Sequence, residues 1–206
     1  MKTLTKLLFA WIFLISLSFS IEFDKIDSTM KTNINTTLRI LQKLPKTTQN
    51  TPKDEANIQQ VANQIFVLFD PIFDYNLMSQ LALSQYYKTL TLEQFKSFRE
   101  SFERNLKKNF TDKLKLYKDE KMEVVGGDQP KSNRYNLKTS LILDGKVNYI
   151  TFKFYDNKKD WKIYDVDILG VSVIQTYRSQ ISDFLAKSDF NALLDGLQSE
   201  ISFETK

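Results

Sequence analysis

The sequence contains no cysteine and no histidine. Without cysteine there is no disulfide, no thiolate nucleophile and no lipid-modified N-terminal cysteine. Without histidine the common nucleophile–base pairs are gone, and with both residues missing so are most transition-metal sites. Glycine and proline are scarce, at 5 and 4 residues. Gly126-Gly127 is the only locally glycine-rich stretch, and no Lys-Ser/Thr follows it to cradle a phosphate. A dominant charge is also lacking. The 29 basic and 25 acidic residues leave a formal +4, too small an excess to make nucleic acid the partner. Beyond the first twenty residues no run is long and apolar enough to cross a bilayer, which takes about 20 residues.

What is present begins with a targeting signal. Lys2 and Lys6 form a positive n-region and Leu7 to Leu17 an apolar h-region. Ser18-Phe19-Ser20 then places small residues where a signal peptidase reads them. Residues 1–20 are expected to be a cleaved signal peptide, with an uncleaved anchor as the alternative. Residues 21–206 then form one domain, large enough for a full core, outside the cytoplasm. Aromatic residues reach 13%, with 16 phenylalanines, enough for a core or for the walls of a cavity.

The periodicity runs helices, strands, helices. The pattern predicts helices over 28–44 (N-capped by Ser28, stopped by Pro45), 54–70 and 74–88. Thr91-Leu92-Glu93-Gln94 is a capping box opening a long helix to about Tyr117, with Phe95, Phe98, Phe102, Leu106 and Phe110 on one stripe. The period then drops to two. Strands are expected over 121–125, 135–143, 147–155 and 161–168, the first ended by Gly126-Gly127 and the middle pair joined by the Asp144-Gly145 hairpin signal. Tyr135, Leu137, Thr139, Leu141 and Leu143 alternate onto one face. So do Ile150, Phe152 and Phe154, and then Tyr164, Val166 and Ile168. Helices over 171–187 and 190–199 close an α+β domain of about four antiparallel strands with segregated helices.

Two blocks carry a resemblance. Trp161-Lys162-Ile163-Tyr164-Asp165-Val166, Gly170-Val171-Ser172-Val173 and Tyr177-Arg178-Ser179-Gln180 resemble the signature of the MlaC family. Gln85-Tyr86-Tyr87-Lys88, Thr91 with Gln94, Phe98 with Phe102, and Leu116-Tyr117 are similar to that family's central region. These proteins are periplasmic phospholipid-binding components, also known as toluene-tolerance auxiliary proteins, of an ABC transport system. The resemblance implies a nuclear-transport-factor-like roll enclosing an apolar lipid cavity. It further implies a phospholipid cargo and no cofactor. The implied partners are an outer-membrane lipoprotein–porin complex and an inner-membrane ABC transporter with a tethered lipid-binding ring. Where the family commonly has Leu-Gly, this chain has Leu83-Ser84.

On pattern alone the sheet face is a core face. The resemblance makes cavity lining of Leu137, Leu141, Ile150, Phe152, Phe154, Tyr164, Val166 and Ile168, joined by Phe66, Phe69, Leu81, Tyr86, Phe98 and Phe102 from the helices. Trp161 reads as structural, Ser172 as a helix cap, and Tyr177 with Arg178 as contacts to a headgroup, a partner or solvent. Asp165 and Asp167 share a face. A same-fold isomerase or hydratase would use Asp165 with Tyr164, so an enzyme is one rival reading. A carrier of another apolar lipid and a purely structural envelope protein are the others.

Overall fold

The computed structural model describes residues 21–44, 51–117, 120–143 and 145–198. The expected signal peptide, Pro45 and Asp144 lie outside them. Within them the order is α1 (Ile26–Leu41), α2 (Pro52–Phe69), α3 (Tyr75–Leu83), α4 (Leu92–Leu114), β1 (Lys121–Lys131), β2 (Arg134–Leu143), β3 (Lys146–Asp156), β4 (Trp161–Ile168), β5 (Val171–Ser172), α5 (Val173–Leu185) and α6 (Phe190–Gln198). The five strands pair antiparallel in sequence order. The class is α+β, as expected, with one more strand than the pattern revealed.

The starts of α2, α3, α4 and α5 follow side-chain caps, whereas α1 has none and Ser28 is not its N-cap. α1 begins two residues before Ser28 after a 3-10 turn over Phe23–Lys25, and the Ser28 hydroxyl donates back to the Lys25 carbonyl within the first turn. Ile26, Met30 and Ile34, four apart, are its buried edge. α2 starts earlier than predicted. Thr51 caps it in a box with Asp54, each accepting from the other's backbone N–H, and Pro52 opens the helix where no N–H is needed. Asp74 caps α3 by accepting from Leu77 N. That helix stops at Ser84 instead of running to Lys88. Ser84 has φ +53° and ψ −121°, and residues Ser84–Thr89 wind as a 3-10 helix. α4 opens with the predicted Thr91/Gln94 box.

Three register shifts shape the sheet, two in β1, between Val124 and Gly126 and between Asp128 and Lys131, and one in β4. β1 does not end at its glycines. The register slips between Val124 and Gly126, Gly126 takes φ +125°, and the strand continues to Lys131. A Cβ at Gly127 would collide with the Tyr135 hydroxyl and the Asn136 carbonyl, so the close approach needs glycine. The third lies in β4, where Lys153 pairs with Asp165 but Phe154 with Ile163. Tyr164 is the unpaired extra residue.

The edge of β4 away from β3 is covered in succession. Trp161 N donates to Ile21 O at 2.9 Å, Ile163 N to Ile72 O at 2.7 Å and Asp74 N to Ile163 O at 2.9 Å. β5 then takes over through Asp167–Ser172 and Ile168–Val171. The turn between these strands puts Leu169 and Gly170 at φ +55° and +83°.

Apolar burial falls into three clusters. The first packs α3, α4, α5 and α6 together through Phe98, Phe102, Ile174 and Ile181. The second packs α1 on the sheet through Met30, Leu137, Phe154 and Ile163. The third joins α1, α2 and the end of α4 through Ile40, Ile65 and Leu114. Phe73 touches the first two and Phe69 the last two.

Candidate functional site

The strand registers decide which side chains share the inner face of the sheet. Leu137 faces Phe152, Thr139 faces Ile150, and Tyr135 faces Phe154. On the far side Phe152 faces Val166 and Ile150 faces Ile168. Leu141 faces Met122, and Thr139 faces Val124. These residues form one apolar surface under α1, and its burial is uneven. Leu137, Phe152, Phe154 and Ile163 are buried. Leu141, Ile150 and Val166 are half-buried, and Ile168 is 46% exposed. Thr139, fully buried among them, donates its hydroxyl to the Ile150 carbonyl at 3.0 Å and so hides its polar atom.

The residues singled out from the sequence do not gather in one place. Leu137, Phe152 and Phe154 are core members of the sheet cluster, with Ile150, Val166 and Phe69 packed against it. Phe98 and Phe102 are fully buried in the helical cluster, their rings stacked at 5.8 Å, with Leu81 and Tyr86 at its margin. Phe66 belongs to the third cluster, against Phe110. Ile163 and Phe73 were missed. Phe73 lies between two helices, where no period marks it. Ile163 is hidden by the β4 bulge, for which the sequence holds no signal.

The same bulge corrects the reading of Tyr164. With two residues of β4 opposing one of β3, alternation flips, and Tyr164 does not share the face of Val166 and Ile168. Its ring meets Tyr155 edge-on at 5.9 Å on the outer face, with the Arg134 guanidinium over both rings. Asp165 turns outward too, yet it is buried rather than solvated. It accepts from Lys153 Nζ at 3.0 Å, Ser172 Oγ at 2.7 Å, Val166 N at 2.9 Å and Ile174 N at 3.1 Å. The same Lys153 reaches Asp167 at 2.7 Å. Burial works to lower the Lys153 pKa, but hydrogen bonds and charge from the two aspartates prevail and hold it above the ordinary lysine value. Asp165 thus pins the start of α5 to the sheet, while Ser172 caps that helix as predicted.

Tyr177 and Arg178 also face inward. Tyr177 donates to Asn105 Oδ1 at 2.7 Å and accepts from Asn109 Nδ2 at 2.8 Å inside the helical cluster, and burial pushes its hydroxyl up to about 12. Arg178 Nε donates to the Leu81 carbonyl at 3.0 Å, tying α5 to the end of α3.

A groove of about 680 Å³ runs between α2 and α4. Phe66 is the only one of the expected lining residues in it, and its walls mix seven charged side chains, Glu55, Asp70, Arg104, Lys107, Lys108, Asp112 and Lys115, with Gln59, Asn63 and Thr111 and the apolar Ile58 and Val67. Lys107 bridges Asp70 and Glu103 at 2.7 and 2.8 Å, its ammonium over the Phe66 and Tyr75 rings. Such a surface does not suit acyl chains. Among the described residues no cluster of three or more Asp or Glu side chains is arranged to hold a metal.

A match to the family described as MlaC protein covers residues 33–199. The chain belongs to the MlaC family. The two blocks read from the sequence, around Gln85–Tyr117 and Trp161–Gln180, lie inside the matched span. A curated member, the intermembrane phospholipid transport system binding protein MlaC of Haemophilus influenzae, is 25% identical over 125 residues. That alignment takes in 58% of each chain, so this chain spans little more than half the length of that MlaC relative. A solved phospholipid-binding protein from Ralstonia solanacearum, in complex with a phospholipid, superposes with a TM-score of 0.68. It covers 84% of this chain and 94% of its own, and at 18% identity the likeness establishes the MlaC-type fold.

Proposed function

We propose that this member of the MlaC family is a periplasmic carrier that holds a diacyl phospholipid between the inner face of the sheet and the helices. Membership of the family carries the reading, because its curated relative is named for phospholipid binding between membranes. The row of half-buried Leu141, Ile150 and Val166 with exposed Ile168 supports the location, being apolar surface that no core cluster fully claims. Phe69 and Phe73 each pack against two of the clusters, Phe73 beside Ile163 of β4.

The physics favours a carrier. A diacyl lipid exposes about 30 methylenes, and at about 0.8 kcal/mol each their transfer from water is worth about 24 kcal/mol. An apolar interior removes that barrier. Cavity and bilayer are both apolar, so exchange between them is close to neutral and the lipid is released as readily as it is taken. Direction then comes from the partners: an outer-membrane lipoprotein–porin complex at one side, and an inner-membrane ABC transporter with its lipid-binding ring at the other. An enzymatic role through Asp165 is disfavoured, because its oxygens already hold two backbone N–H groups, a hydroxyl and an ammonium. Among the described residues no helix is long and apolar enough to cross a membrane. That accords with a carrier released from a signal peptide.

Native mass spectrometry of the mature chain, followed by extraction and identification of the ligand, tests the proposal. One diacyl phospholipid per chain is expected. A different apolar lipid would keep the carrier and change its cargo. An empty chain that takes nothing from phospholipid vesicles would refute the reading.

A further inference from the structure

One end of the sheet carries apolar surface that the fold does not use, where two hairpin tips meet. In the first, Ile142 and Val147 face each other on the outer side, with Tyr149 two residues on. The second, between β4 and β5, adds Leu169, while Val171, paired with Ile168, carries exposed apolar surface round to the inner face at the same end. The Leu169 N–H donates to the Tyr149 carbonyl at 3.1 Å, which locks the tips together. All five side chains are exposed, Val147 by 58% and Leu169 by 55%. Scattered exposed apolar residues are ordinary, but a contiguous set marks an interaction surface. Leu169 also holds φ +55°, a conformation that glycine or asparagine adopts more easily. The fold keeps a strained backbone here and points an apolar side chain at solvent.

The surrounding charge identifies the occupant. Lys121 pairs across from Ile142, and Lys146 stands at the mouth of the hairpin opposite Leu143. Lys138 sets its ammonium 3.7 Å from the centre of the Tyr149 ring. Of the acids nearby, Glu123 lies two residues along β1 from Lys121, while Asp167 is held by Lys153. Aliphatic tips above a tyrosine and a fringe of lysines match a headgroup boundary. The tips enter the acyl region, the ring sits at the interface, and the ammonium groups meet phosphate. A protein pocket would instead favour Trp, Tyr or Arg anchors in a concave, closed setting.

We propose that the Ile142–Tyr149 and Leu169–Val171 tips dock this chain on the surface of an anionic lipid bilayer. The same end of the sheet carries the half-buried inner row, so a lipid leaving that row emerges where the bilayer lies. The proposal rests on the carrier reading for its purpose but not for its geometry.

The test is co-sedimentation of the mature chain with vesicles of phosphatidylcholine, with and without phosphatidylglycerol. The variants are Val147→Asn with Leu169→Asn, and Lys121→Gln with Lys138→Gln. Asparagine tolerates positive φ, so the thermal midpoint of the first pair should hold or rise. Binding to the anionic vesicles is expected to weaken about tenfold in the apolar pair. The lysine pair is expected to lose most of the salt-sensitive part of binding. Lipid load, read by native mass spectrometry, should be unchanged in both. Equal binding to both vesicle types, no binding to either, or full binding by the apolar pair would overturn the proposal. An empty wild-type chain that still docks would sink the carrier reading alone.

Discussion

Where β3 ends and β4 begins, Phe154 and Trp161 are buried beneath Ile21 and Ile26. Phe23 packs on Tyr135 and Trp161 at 5.4 and 5.1 Å. Tyr135 donates to Asp27 at 2.7 Å, and Trp161 N to Ile21 O, so the segment running through the Phe23–Lys25 turn into α1 seals that end of the sheet. At the opposite end the same strands carry Leu141, Ile150 and Ile168 on the inner face and Ile142, Val147 and Tyr149 on the outer face. All of these are half-buried or exposed. Composition does not separate the two ends, since both are rich in large apolar residues. What differs is the presence of a covering element. One end is finished by folding. We read the other as finished by a ligand on its inner side and by a membrane on its outer side.

That contrast can be broken first at the sealed end. Phe154→Ala should cost about 4 kcal/mol, because the ring is fully buried and its neighbours are fixed. Chemical denaturation measures it, and a loss below about 1 kcal/mol would mean that this end is not closed packing. Next comes the joint between sheet and helices. Asp165→Ala strips acceptors from Ser172, Ile174 N and Val166 N and one partner from Lys153, and should cost about 3 kcal/mol. Amide exchange at the start of α5 should rise more than exchange in β2; a uniform rise would contradict the joint.

Tyr177 sharpens the comparison from the helical layer. Burial pushes its hydroxyl up to about 12 from an ordinary 10.0, so the neutral form is the one the fold prefers. The stability this contributes is complete below pH 10 and is lost as pH rises through about 12. Tyr177 should account for about 2 kcal/mol of the fall in stability across that interval, beside the shares of Tyr75, Tyr135 and Tyr155, whose hydroxyls are also raised, and its share should be absent in Tyr177→Phe. A parallel fall in the variant would place the alkaline sensitivity elsewhere.

The smallest expected effect has the opposite sign. Ser84 occupies the first central position of a type II′ geometry, which glycine favours. Ser84→Gly should add about 1 kcal/mol, read as a raised thermal midpoint. No change would show that the surrounding helices tolerate the backbone without strain.

Much of this architecture was legible in the sequence, for local reasons. The Thr91/Gln94 box, the Asp144-Gly145 hairpin signal and the bounds of β4 depend on neighbours within a few residues, and the period carries them. Thr51 was missed because its partner in the box is Asp54 rather than Glu or Gln. The departure from Leu-Gly at Leu83-Ser84 was visible, but its meaning was not: the position demands positive φ. The bulges at Val125 and Tyr164 were missed, because Gly126-Gly127 reads as the end of the first strand and nothing in the sequence marks Tyr164. Val125 and Tyr164 each add one residue to a strand whose own pattern looks regular, and only the partner strand shows the slip. Tyr164 was therefore placed on the wrong face and Ile163 left out.

The central claim is that the inner face of the sheet, at its unsealed end, holds the lipid. Ile150 and Val147 test it best, because they lie on one strand, three residues apart, facing opposite sides of the sheet. Lipid occupancy by native mass spectrometry should be lost in Ile150→Glu and retained in Val147→Glu, with both variants folded by circular dichroism. Equal occupancy in the two, whether both full or both empty, would contradict the account.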